Sequence, residues 1–146
     1  MNGAVKEFYS NGIVSVTGRR SSGKNTGLWK YFLRNGQLRA VGKFAGGLMT
    51  GVWKWYRENG TLWQVGTFKN GEKYGPWKRY HLNGKLFDSG RFNNNVKSGT
   101  WKIYDTKGKL LKVVSFAKKK EQKEWKVYHQ HRSLMKRIAP AKRKNL

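Results

Sequence analysis

The sequence predicts an all-β fold, an elongated antiparallel meander of about six 24-residue hairpin repeats followed by a basic tail. Three observations predict it. Trp recurs at 29, 53, 77, 101 and 125, so every interval is 24 residues. Asn-Gly recurs in step with it at 11–12, 35–36, 59–60 and 83–84. Gly recurs at 18, 42, 66 and 90 with the same period. A fixed period of this length marks a repeat whose units bury their apolar faces only by stacking on their neighbours.

Each column of the repeat has a physical reading. Val5 takes the Trp position one period earlier, and Lys follows in every unit: Lys6, Lys30, Lys54, Lys78, Lys102 and Lys126. Then come the aromatics Phe8, Phe32, Tyr56, Tyr80, Tyr104 and Tyr128. Trp53 to Tyr56 therefore reads as a first strand. Asn59-Gly60 reads as a type I′ hairpin turn, with positive φ at both central residues. The fifth and sixth units replace Asn-Gly with Lys107-Gly108 and His131-Arg132.

Leu62 to Phe68 reads as the returning strand, with Leu62, Gln64, Gly66 and Phe68 on one face by period two. A Gly inside a strand marks a bulge or a close approach. Here it is expected to make room for an indole from a neighbouring strand. Val114 stands in that column in the fifth unit. Lys69 to Tyr74 is expected to be a return loop leading through Gly75-Pro76 to the next Trp. Trp and Tyr at i and i+3 fall on opposite faces of a regular strand. That leaves two readings open: a bulge turns one of them, or both faces are partly covered. The repeat domain is placed at 5–134 and the basic tail at 135–146.

Composition narrows the chemistry. With 146 residues the chain suits one domain. Lys and Arg number 32 against 7 Asp and Glu, giving a net charge of +25. There is no Cys, which excludes thiolate chemistry and zinc-thiolate sites. The acids Glu7, Glu58, Glu72, Asp88, Asp105, Glu121 and Glu124 are too scattered for acid–base pairs. His129 and His131 share a strand face without a Cys or a well-placed carboxylate, so no metal is expected. No apolar run approaches the ~20 residues of a membrane helix, and no secretory signal is read at Met1 to Glu7. Seven each of Trp, Tyr and Phe argue against a disordered chain.

The run from Gly51 to Gly75, Gly-x-Trp-Lys-x-Tyr-x-x-Asn-Gly-x-Leu-x-x-x-Gly-x-Phe-x-Asn-Gly-x-x-x-Gly, is similar to MORN-type (membrane occupation and recognition nexus) repeats. It most resembles the variant found in bacterial proteins of the toxin–antitoxin antitoxin class. The resemblance covers about residues 5 to 128. It implies a hairpin stack. For function it implies a protein-interaction scaffold, a lipid-contacting module or an antitoxin.

Half of the basic residues lie in the last 50 positions, where residues 97–120 carry +7 and 121–146 carry +6. Such an excess favours a polyanionic partner, and a basic cluster with a basic tail is the electrostatic footprint of nucleic acid. The candidate RNA-binding residues are Lys107, Lys109, Lys112, Lys118, Lys119, Lys120, Lys123, Lys126, Arg132, Lys136, Arg137, Lys142, Arg143 and Lys144. The lysine column after the Trp reads as a solvated face belonging to the repeat itself. The surplus aromatics Tyr9, Tyr31, Trp55, Trp63, Tyr74 and Phe87 suit base stacking, edge packing or a protein contact.

The function expected is therefore non-enzymatic binding of structured RNA through phosphates, as part of a large ribonucleoprotein such as the ribosome. The partners are ribosomal RNA and neighbouring proteins of the same assembly, with no cofactor, metal or small-molecule substrate. The expected location is the cytoplasm, or an organelle matrix for an organellar assembly. Protein scaffolding or antitoxin activity is the alternative, and binding to an anionic membrane the third reading.

Overall fold

A computed structural model describes residues 2–116. They form one ten-stranded antiparallel sheet in which every strand pairs with its neighbours in sequence. The strands are β1 (Gly3–Phe8), β2 (Val14–Ser21), β3 (Lys24–Phe32), β4 (Leu38–Ala45), β5 (Leu48–Tyr56), β6 (Leu62–Lys69), β7 (Glu72–Tyr80), β8 (Leu86–Asn93), β9 (Val96–Tyr104) and β10 (Leu110–Phe116). Five of the six expected hairpins lie here. The sixth unit and the tail at 135–146 lie outside the described residues.

The core is a single layer of aromatics on one sheet face. Trp29, Trp53, Trp77 and Trp101 are all buried, as are Phe68, Phe92 and Phe116. Each indole lies flat against the Gly of the preceding hairpin. A Cβ built on Gly18, Gly42, Gly66 or Gly90 would fall 2.0–2.2 Å from the six-membered ring of Trp29, Trp53, Trp77 or Trp101 respectively. The expected vacancy for an indole is thus real. The indole N–H is satisfied as well: Trp53 Nε1 donates to the Lys43 carbonyl at 3.0 Å and Trp77 Nε1 to the Thr67 carbonyl at 3.0 Å. Edge-on phenyl rings fill the space between indoles, with centroids 5.2–5.4 Å apart for Phe44–Trp53, Phe68–Trp77, Trp77–Phe92 and Phe92–Trp101.

A bulge sits on the returning strand, opposite the step from Trp55 to Tyr56, and leaves the Trp-to-Tyr strand itself without an inserted residue. Pairing runs Trp55↔Gln64 and then Tyr56↔Leu62, so Trp63 is the extra residue. The same slip recurs in the other four hairpins. Two consecutive residues of the returning strand then share one partner step. In β8 these are Phe87 and Asp88, and both are fully buried.

The turns reverse the sequence reading. At Asn59-Gly60 only the Gly has positive φ, at 89°. The Gly60 N–H donates to the Arg57 carbonyl, and Arg57 N–H to the Thr61 carbonyl. This is a three-residue loop built on a type I turn that ends in a glycine bulge, not a type I′ turn. The Asn side chain tightens it, since Asn59 Oδ1 accepts from Thr61 N–H at 3.1 Å. Where Asn is lost in the fifth unit, Asp105 Oδ1 takes over and accepts from both Lys107 and Lys109 N–H.

Type I′ geometry is found at the opposite end instead. Ser22-Gly23, Gly46-Gly47, Asn70-Gly71 and Asn94-Asn95 all have positive φ at both residues. They close two-residue hairpins, Lys69↔Glu72 for example. The stretch Lys69 to Tyr74 is therefore a tight turn plus the start of β7, not a return loop.

Candidate nucleic-acid interface

Pairing across the whole sheet brings the lysine column into register. The partners run Lys6↔Thr17, Thr17↔Lys30, Lys30↔Val41, Val41↔Lys54 and Lys54↔Val65. They continue as Val65↔Lys78, Lys78↔Ser89, Ser89↔Lys102 and Lys102↔Val113. This is one unbroken row perpendicular to the strands. Lys6, Lys30, Lys54, Lys78 and Lys102 are all exposed. Each is next to its Trp or Val5 in a strand, so it points away from the aromatic layer. At about 4.8 Å per strand, successive lysines stand roughly 9.6 Å apart and the row is roughly 38 Å long.

A second row lies two residues further along the strands. It contains Arg19, Lys43 and Arg91, which come from the even-numbered strands and are also exposed. They pair with Ala4, Leu28 and Pro76, and Val52↔Thr67 and Thr100↔Ser115 complete the row. Neither row contains an Asp or a Glu. Eight cations therefore share one face with no carboxylate among the pairs. Leu28, Val52 and Val113 add exposed aliphatic surface between them.

The cations on the opposite face are used differently. Arg79 and Asp88 form a two-pronged ion pair, with Nη2 to Oδ2 at 2.6 Å and Nε to Oδ1 at 3.1 Å. Asp88 is 1% exposed. Lys73 Nζ sits 5.1 Å from the Trp77 ring centroid and 4.9 Å from Phe92, while Lys97 Nζ sits 4.9 Å from Trp101. Burial, helped by the nearby Arg79 and Lys73 charges, pushes the Lys97 amine well below the usual lysine range against the pull of Asp88. These groups hold the aromatic layer together and are not available to an outside ligand.

Three of the sequence candidates fall within the described residues, and they do not form one surface. Lys107 and Lys109 are exposed at the fifth loop. Lys112 pairs with Ile103 on the aromatic side. Lys118, Lys119, Lys120, Lys123, Lys126, Arg132, Lys136, Arg137, Lys142, Arg143 and Lys144 lie outside the described residues. The better-organised cations are those read as a solvated face, joined by Arg19, Lys43 and Arg91. The signal for these three was present in the sequence: each directly follows a Gly of the 24-residue column.

The surplus aromatics divide. Tyr31 and Trp55 join the indole stack, with centroids 6.3 Å for Tyr31–Trp53 and 5.8 Å for Trp55–Trp77. Burial raises the Tyr31 phenol against the pull of Arg20. Phe87 is fully buried against His81 at 4.9 Å. Packing accounts for these three. Tyr74 is exposed beside Lys69, whose Nζ stands 5.0 Å from its ring.

A single-layer sheet of indole-on-glycine hairpins with one cationic face defines a class of repeat β-protein. The family described as "MORN repeat variant" matches residues 49–70, 73–94 and 97–118, three consecutive units at the observed period. Residues 49–118 of the chain are MORN-type repeats. No curated protein matches it. Among solved structures it is similar to a Staphylococcus aureus TarM point mutant in complex with fondaparinux, α-GlcNAc-glycerol and UDP. That match has 9% identity and a TM-score of 0.42, and covers 66% of this chain and 21% of that one. It is also similar to the glycosylation-associated Gap123 complex of Streptococcus agalactiae, at 14% identity and TM-score 0.44, covering 88% and 24%. The chain spans less than a quarter of either structure's length.

Proposed function

We propose that this chain is a non-enzymatic binder of structured RNA, working as a component of a ribonucleoprotein such as the ribosome. The observation that carries the reading is the acid-free row on which five lysines align from β1 to β9. A net charge of +25 reinforces it. Neutralising phosphates releases their condensed counterions, which gives affinity without base readout. Tyr31, Trp55 and Phe87 are committed to packing, which leaves shape and charge as the main terms of recognition. Lys107 and Lys109 extend the positive potential around the loop end of the sheet.

The test is binding to ribosomal RNA across a salt series. The expected result is a steep linear fall of log affinity with log salt, with a slope of about −0.7 to −0.9 per phosphate neutralised. Co-purification with a single protein that survives high salt and nuclease would favour the scaffold or antitoxin reading instead.

A further inference from the structure

We infer that the row Lys6–Lys30–Lys54–Lys78–Lys102 is a track on which one continuous phosphate backbone lies across the strands, engaged by one cation per hairpin. The inference rests on the RNA reading above and specifies which surface holds the RNA and in which direction. Three features argue for it. The lysines are collinear because the pairing register repeats unchanged in every hairpin. An unbroken cation row is complementary to an unbroken polyanion.

The spacing is the second feature. Along a single strand of a duplex the phosphates supply about one charge per 3.4 Å of axis. Lysines roughly 9.6 Å apart are therefore each within side-chain reach of a phosphate of that strand. The track grips length and charge and ignores sequence.

The third feature is curvature. Neighbouring strands in a sheet ordinarily rotate by about 20–25°. Over the eight strand steps from Lys6 to Lys102 a row with that twist turns through about 160–200°. A planar bilayer or a straight rod meets only part of such a row, whereas a phosphate backbone that winds with the sheet meets all of it. Arg19, Lys43 and Arg91 flank the track on one side and catch the second line of phosphates.

The experiment compares two double variants that remove equal charge. Lys54→Gln/Lys78→Gln takes two cations from the track. Arg34→Gln/Lys85→Gln takes two exposed cations from the Asn-Gly loop end. Circular dichroism and Trp fluorescence confirm that both fold. The probes are RNA duplexes of about 6 and 16 base pairs, respectively shorter than the track and long enough to span it. Lys54→Gln/Lys78→Gln is expected to flatten the salt slope on the long duplex by about 1.4–1.8. Arg34→Gln/Lys85→Gln is expected to change it by well under half that. The short duplex is expected to bind with a much shallower slope than the long one.

A track variant with the parent's slope, or equal losses in both variants, overturns the track while leaving RNA binding intact. A parent chain that shows no salt-dependent binding to either duplex sinks the RNA reading itself. Capture by vesicles of phosphatidylserine and phosphatidylcholine, with neither duplex bound, overturns both in favour of a lipid surface.

Discussion

The first hairpin, β1–β2, and the fourth, β7–β8, share a hydrogen-bonding pattern and differ in what they bury. Both have the same bulge after the Trp position and the same loop closure. Yet none of residues 2–28 is buried, whereas β7–β8 buries Trp77, Phe87, Asp88 and Phe92. The difference lies in side chains, Val5 for Trp77, Ser15 for Phe87 and Val16 for Asp88, and in place, since β1 is the sheet edge with no preceding glycine to pack on. Backbone pairing thus gives the repeat its geometry, and the aromatic columns give it its stability. An isolated two-stranded hairpin is marginal at best, so β1–β2 persists because Trp29 of β3 reaches back over Gly18.

The largest expected break in this comparison is Trp77→Ala. It removes a buried indole packed against two phenyl rings and should cost about 3–5 kcal/mol. The matching Val5→Ala should cost less than about 1 kcal/mol. Denaturant midpoints measure both, and hydrogen exchange should find β1 fraying while β7 and β8 open only with the whole sheet. Equal costs would show that stability is spread evenly along the stack.

Asp88→Asn comes next, at about 3 kcal/mol, because it removes the buried carboxylate that pairs with Arg79. Gly90→Ala should cost about 1–3 kcal/mol by pushing the Trp101 indole off the backbone. A red shift of Trp emission would accompany it, and unchanged emission would show that the indole had not moved.

The smallest effect expected is in pH dependence. The lowered pKa of Lys97 means that the folded chain binds fewer protons there than the unfolded one. Stability from this group is therefore full above the ordinary lysine value and lost as pH falls through the depressed one. Lys97→Met should flatten the parent's rise in stability toward alkaline pH. Parallel curves for the two proteins would remove Lys97 as a source of that rise.

Much of the fold was legible in the sequence because one contact makes it. Gly66 and Trp77 recur as a pair since only a bare backbone admits the ring, and a 24-residue period makes the pairing visible. The turn types were not legible. Asn-Gly satisfies a type I′ turn and also a type I turn with a glycine bulge; the choice depends on loop length, which pairing register sets. The cation row was half legible. The lysine column was plain as a spacing, but spacing does not say whether residues on different hairpins fall in line. Only the recurring bulge, which resets each strand by the same amount, shows that they do.

Val114 has a consequence for how the stack is assembled. Each hairpin from the second to the fourth both fills a slot in the one before and offers a slot to the one after, so the array has a direction. At β10 the slot is already occupied by a fully packed Val114, 2% exposed. Where the earlier hairpins offer bare backbone, β10 places the methyl groups of Val114. Among the described residues the run of glycine slots therefore ends at Gly90, and the array has a first and a last such contact.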